Sequence, residues 1–402
     1  MTTSRLRRLG ELARLFAKLG VIGFGGPAAH IAMMEDEVVE RRKWLTRDYF
    51  LDLIGATNLI PGPNSTEMAA HVGFARAGWA GLLVAGPCFV LPAVLITAAL
   101  AWAYVHYGAL PQVGPLLYGI KPAVIAVIAV AVWRLGSKAA KSAKLVIIGA
   151  AVTAASVAGL DAIAALIAGS LLGMLWLRLS AGGRRADGGA AAVPALLLGA
   201  ARKSCAQAAG VAGAAGAAGV AAATGAVPLW QLGLFFLKVG AVLYGGGYVL
   251  VAFLQGGVVH DYGWLTQQQL LDAIAIGQFT PGPVLSTATF IGYLIAGGPG
   301  AVVATLAIFL PSFLFVGFLN PLVPKLRKSR WMAAFLDAVN ISAIGLMLAV
   351  TAKLGTETLR TWPACVIAVL AAAVGIRWKL NAAWLVLGGA ILGLALSGTL
   401  NA

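Results

Sequence analysis

A segment of this chain occurs twice. Residues Phe16 to Pro63 return as Phe236 to Pro283, 220 positions on and without a gap. Phe16, Lys18, Gly20, Gly25 and Gly26 recur as Phe236, Lys238, Gly240, Gly245 and Gly246; Trp44-Leu45-Thr46 recurs as Trp264-Leu265-Thr266; Pro61-Gly62-Pro63 recurs as Pro281-Gly282-Pro283. Apolar segments interrupted by Gly and Pro at corresponding places in two halves are the pattern of a secondary transporter.

The surroundings of the repeat place it in a membrane. The chain is 60% apolar and 11% charged, against about 25% charged for soluble domains. Charge-free runs such as Leu145–Gly159, Ala162–Trp176 and Ser204–Gln231 approach or exceed the roughly 20 residues of a spanning helix. The expected fold is an all-α polytopic membrane protein of 10–13 crossings or re-entrant helices, with helices broken at Pro-Gly-Pro. The first repeat is expected at 1–180, a basic loop and Ala/Gly-rich connecting segment at 181–227, and the second repeat at 228–402. The stretch 206–227 reads as a weak span, with a flexible linker as the alternative. Basic residues at the start, followed by no cleavage pattern, predict a retained first span.

Net charge is +15, but the cations gather at the ends of apolar runs, as the inside-positive rule requires, and not in a nucleic-acid-binding patch. The run after 116–133 holds Arg134, Lys138, Lys141 and Lys144; that after 299–319 holds Lys325, Arg327, Lys328 and Arg330. Their counterparts in the other repeat are uncharged or nearly balanced, which predicts halves inserted upside down relative to each other. Three scattered cysteines indicate neither a disulfide framework nor a metal site, and no cofactor motif is found, so a redox enzyme is disfavoured.

Phe24-Gly25-Gly26-Pro27, Pro61-Gly62-Pro63-Asn64, Gly245-Gly246-Gly247-Tyr248 and Phe279-Thr280-Pro281-Gly282-Pro283 together resemble the chromate ion transporter family in its long, two-domain bacterial form. The resemblance implies export of chromate from the cytoplasm across the bacterial inner membrane, driven by the membrane ion gradient and conferring resistance. Sulfate has the same charge and shape, and a carrier or channel for sulfate or another small anion is the alternative.

A tetrahedral dianion can be held by backbone N–H groups, helix N-termini and a few polar side chains. Proline breaks a helix and glycine admits close backbone approach, and such backbone at membrane depth must line a cavity or be buried. The candidate substrate residues are therefore Gly25, Gly26, Asn58, Pro61, Gly62, Pro63, Asn64, Ser65 and Thr66 in the first half. In the second they are Gly245, Gly246, Gly247, Gln278, Thr280, Pro281, Gly282, Pro283, Ser286 and Thr287. On the alternative reading, the prolines merely kink two spans and the hydroxyls satisfy freed carbonyls. Lys18, Lys238 and Lys121 are the candidate field sources, since a lysine within a span is costly; Lys18 is also close enough to a span end to snorkel. Glu67 and His71, one turn apart, are candidate proton carriers, with Thr287 and Ile291 as their approximate counterparts; a structural pair is the alternative. The mixed-charge stretch from Glu35 to Asp48 reads as a surface helix. A homodimer is left open, and one chain holds both halves of a two-fold site.

Overall fold

The computed structural model describes residues 3–24, 26–108, 113–180, 227–244, 246–319, 329–378 and 380–400. Gly25, Gly245 and residues 181–226 lie outside the described residues, and with them the expectations placed there. Fourteen α-helices are described, and no strand occurs among the described residues. The first repeat contains α1 (Thr3–Ile22), α2 (Pro27–Glu35), α3 (Arg47–Thr57), α4 (Asn64–Tyr107), α5 (Val113–Ala139), α6 (Ala143–Val157) and α7 (Ala162–Ser180). The second contains α8 (Leu229–Val242), α9 (Leu250–Leu254), α10 (Gln267–Phe279), α11 (Thr287–Leu319), α12 (Arg330–Thr358), α13 (Trp362–Trp378) and α14 (Ala382–Leu400).

Five of the described helical stretches are long and apolar enough to cross a membrane: α4, α5, α7, α11 with its preceding turn, and α12. Shorter apolar helices accompany them, among them α6, α8 and α13. Large apolar side chains such as Leu83, Leu95, Leu172, Leu306 and Ile391 lie exposed, as lipid-facing surfaces require.

The repeated motifs have repeated physical jobs. Thr46 and Thr266 cap α3 and α10, accepting the N–H of Tyr49 and Gln269, which accounts for the duplicated Trp-Leu-Thr. The residue before each Trp turns the chain at positive φ, Lys43 at 52° and Gly263 at 61°. Ahead of each turn, α2 and α9 run into π-helical segments, Asp36–Arg41 and Gln255–Asp261. The apolar stretches 16–33 and 236–254 are not continuous helices: each breaks after α1 or α8, at Gly23–Gly26 and Leu243–Val249. The expected surface helix around Glu35–Asp48 is likewise divided into a π segment, a turn and the start of α3.

Helices α4 and α11 bend at equivalent places. Ala77-Gly78 and Ala296-Gly297 leave helical geometry with closely matching dihedrals, and Gly78 and Gly297 sit at φ 63° and 61°. A glycine is needed there because L side chains avoid this region. These bends set a register of 219 beyond the Pro-Gly-Pro motifs, one residue shorter than before them. The counterparts of Glu67 and His71 are therefore Ser286 and Phe290, one position before the approximate Thr287 and Ile291. The dropped residue coincides with a 3-10 turn, Val284–Ser286, where the first repeat starts α4 directly.

The two repeats interlock reciprocally. Gly62 N–H donates to Leu243 C=O at 2.7 Å, and Gly282 N–H donates to Gly23 C=O at 2.7 Å. Leu243 is the repeat counterpart of Gly23, so each Pro-Gly-Pro is tied to the helix break of the other repeat. Contacts in which i meets j and j meets i define a two-fold relation. Equivalent helices run antiparallel across it: Gly136 of α5 faces Ile344 of α12, while Ile125 faces Gly355. The long helices obey the same rule, with Gly86 of α4 on Phe313 of α11 and Tyr104 beside Phe290. The terminal hairpins are exchanged, since α6 and α7 pack on α12 and α13 and α14 pack on α5. The first repeat has a core cluster of its own around Phe16, Phe50 and Phe89, and the largest cluster is shared between the repeats.

Candidate functional site

The two Pro-Gly-Pro turns sit where the long helices cross. Gly62 has φ 146° and Gly282 φ 95°. Ser312 of α11 crowds Gly62, and its counterpart Ala93 of α4 crowds Gly282. Behind them lies a buried polar layer. Ser65, Thr66, Glu67 and His71 of α4 are 0–1% exposed, as are Thr97, Ser286 and Ser312. Thr97 Oγ1 donates to Ser286 Oγ at 3.2 Å and lies 3.5 Å from Thr280 Oγ1. Thr280 and Thr287 hydroxyls return to the carbonyls of Ile276 and Val284, at 2.8 and 2.7 Å. Each of these carbonyls also accepts a backbone N–H, from Thr280 and from Thr287, so the hydroxyl adds a second bond to a carbonyl that is already paired.

Two adjoining cavities open in front of this layer. The larger, of about 700 Å³, is lined by Asn58, Asn64, Gly246, Gly247, Tyr248 and Asn340, with Arg134, Lys138, Lys141 and Asp337 along one side. The smaller, of about 310 Å³, is lined by Gly26, Gln278, Thr280, Gly282 and Asn381. Arg134 and Tyr248 line both. Asn64 Nδ2 donates to Asn58 Oδ1 at 3.0 Å, and Asn58 Nδ2 to Ile54 C=O at 3.0 Å. This strap crosses the first Pro-Gly-Pro and presents carboxamides to the larger cavity.

The structure thus brings Gly26, Asn58, Asn64, Gly246, Gly247, Gln278, Thr280 and Gly282 to cavity walls. Pro61, Gly62, Pro63, Ser65, Thr66, Pro281, Pro283, Ser286 and Thr287 belong to the packed layer and are not among the lining residues. The three candidate lysines lie elsewhere. Lys18 Nζ bonds Glu37 Oε1 at 2.8 Å, and Arg42 Nε reaches the other oxygen at 3.0 Å. The Lys18 hydrogen bond, with help from Arg42, holds the Glu37 carboxyl below its usual range against the effect of its burial. Lys121 of α5 pairs with Asp272 of α10 at 3.7 Å, and Tyr104 OH donates to the same carboxylate at 2.9 Å. Lys238 is exposed on α8, and its charge acts on Asp261.

Arg134, Lys138, Tyr248 and Asn340 were not singled out as site residues from sequence. The basic pair reads there as a loop marker, because it follows an apolar run; only the antiparallel packing of α5 against α12 turns that helix end into a cavity wall. Glu67 occupies a different position from both cavities. It is fully buried, presses on Gly62 beside Ser312, and neither carboxylate oxygen has a hydrogen-bond donor among the described residues. Tyr244, at the helix break of the second repeat, lies near it. No group of three or more metal-ligating side chains occurs among the described residues.

Known proteins agree with this duplicated architecture. The chromate transporter family matches the chain twice, over residues 10–174 and 230–394. A chromate transport protein of Cupriavidus metallidurans is 34% identical over 96% of this chain and 92% of its own length. A protein of Synechococcus elongatus described as a probable chromate transport protein is 32% identical over 93% of this chain and 91% of its own. A chromate transport protein of Pseudomonas aeruginosa is 30% identical over 95% of this chain and 91% of its own. No solved structure matches the chain. These relatives are transporters and not enzymes, and the apolar helices make this a multi-pass membrane protein. Matched in both repeats and over nearly its whole length, the chain belongs to the chromate transporter family.

Proposed function

We propose that this protein exports chromate, or an oxyanion of the same charge and shape, from the bacterial cytoplasm across the inner membrane by alternating access. The observation that carries this is the reciprocal clasp between the repeats, with a cation-bearing cavity beside it. Two antiparallel repeats joined by equivalent contacts can exchange conformations, so that a site open on one side closes as its counterpart opens. Lys141 bonds Asp337 at 2.8 Å, placing the end of α5 beside the start of α12. Lys138 and Lys141 at the end of α5 and Arg330 at the start of α12 therefore gather at one side, which the charge rule assigns to the cytoplasm. The large cavity is lined at that same side, in keeping with an inward-facing state.

Moving a dianion outward is favoured by about 4.6 kcal/mol at an inside-negative potential of about 100 mV. Proton antiport would add to that drive. Glu67 is the proposed proton carrier and His71, one turn on, its relay. An ionised carboxylate without donors is costly in such an interior, whereas the acid form can donate to a neighbouring oxygen.

Radiolabelled chromate uptake into inside-out proteoliposomes, under imposed voltage and pH gradients, tests this. Saturable, voltage-driven flux is expected, and Glu67→Gln should remove its pH-gradient dependence. Flux of sulfate or organic anions without chromate would overturn the substrate. A Glu67→Gln variant with unchanged pH-gradient dependence would overturn the coupling role.

A further inference from the structure

We propose that Arg134, assisted by Lys138, is the cationic ligand of the transported oxyanion. This rests on the transport reading above and names the site. Six cations were open to that role from their charge and neighbourhood, and the fold separates them: Lys238 is exposed on α8 and lines neither cavity. Lys18 is held by Glu37, Lys121 by Asp272 and Lys141 by Asp337. Arg134 and Lys138 line the large cavity and have no carboxylate partner among the described residues.

Arg134 also stands at the junction of the two cavities, with Tyr248, so an ion passing between them passes its guanidinium. One of its nitrogens, Nη2, donates to the carbonyl of Gly375 on α13. A guanidinium carries five N–H donors in a planar fork, so this bond orients the head and leaves donors for two oxygens of a tetrahedral anion. Asn58, Asn64 and Asn340 add amide donors from both repeats on the cavity wall. Asp337, the acidic group there, is engaged by Lys141, which limits its repulsion of an anion. Residues from both repeats build the wall, so rocking of the repeats changes the site, as a carrier needs.

Arg134 also has a structural contact, so the test must separate anchoring from ligation. Wild-type protein in proteoliposomes is treated with phenylglyoxal, with and without chromate, and labelling of Arg134 is read by peptide mass spectrometry. In parallel, chromate KM and maximal flux are compared for wild type, Arg134→Gln, Arg134→Lys and Lys138→Gln. Chromate should protect Arg134 from labelling. Arg134→Gln should raise KM about tenfold or more, as loss of one charge-assisted hydrogen bond implies, and Arg134→Lys should recover part of it. Wild-type flux with Arg134 unprotected, or a wild-type KM in Arg134→Gln, would overturn the site and leave the transport reading standing. Absence of wild-type flux would overturn the transport reading, and unprotected Arg134 would then remove the site with it.

Discussion

Single side chains in this protein are assigned by their partners. Lys121 is a lysine within an apolar run, which suggests a free field source; the fold gives it Asp272 instead, with side chains 17% and 3% exposed. Removing one member of a buried pair leaves the other uncompensated, at about 3–5 kcal/mol. Lys121→Met and Asp272→Asn should each lower the melting temperature in detergent, and the double variant should lose less than the two together. Glu37 gives a pH dependence. Its folded pKa is depressed by Lys18 and Arg42, so its contribution is present above the unfolded carboxylate pKa of about 4.3. That contribution is lost as pH falls through the folded value. Thermal melts from pH 6 downward to about pH 3 should show a steeper acid loss for wild type than for Glu37→Gln.

Helices in this fold cross through small residues. A Cβ on Gly119 of α5 would collide with the Gly389 carbonyl of α14, and one on Gly345 of α12 with the Gly149 carbonyl of α6. Both crossings join one repeat to the exchanged hairpin of the other. In lipid, where packing and not the hydrophobic effect holds helices together, close backbone approach matters most. Gly119→Leu should therefore separate α5 from α14 and cost about 1–3 kcal/mol or more by overpacking, seen as a lower melting temperature. Gly114, with open space around it, is the control position, and Gly114→Ala should leave melting nearly unchanged.

At the scale of the whole molecule, the antiparallel pairing of α5 and α12 is the decisive relation. A two-fold relating antiparallel spans lies across them, which in a bilayer predicts repeats of opposite orientation. Single cysteines at Lys138 and at Lys353, near equivalent ends of α5 and α12, should then label from opposite sides with an impermeant maleimide. The experiment uses oriented vesicles of a variant whose native Cys88, Cys205 and Cys365 are replaced. Labelling of both from one side would require parallel repeats.

Much of this was legible in the chain itself. Periodic breaks, charge-free runs and a 220-residue repeat determine a duplicated helical membrane protein, because each is a local property: Pro ends a helix, Gly turns it, and lipid forbids unpaired charge. Thr46 and Thr266 are readable as caps for the same reason. The placement of the cations was not, since Lys18, Lys121 and Arg134 differ only in what stands opposite them, and the opposite residues come from distant sequence. Glu37 reaches Lys18 by the fold-back of the chain within the first repeat, whereas Asp272 and Gly375 reach Lys121 and Arg134 from the other repeat. The sequence by itself determined what the elements are and that they come in pairs. Tertiary structure alone decided which charges are neutralised and which face a cavity, because electrostatic pairing depends on distances of a few ångströms that no spacing along the chain records.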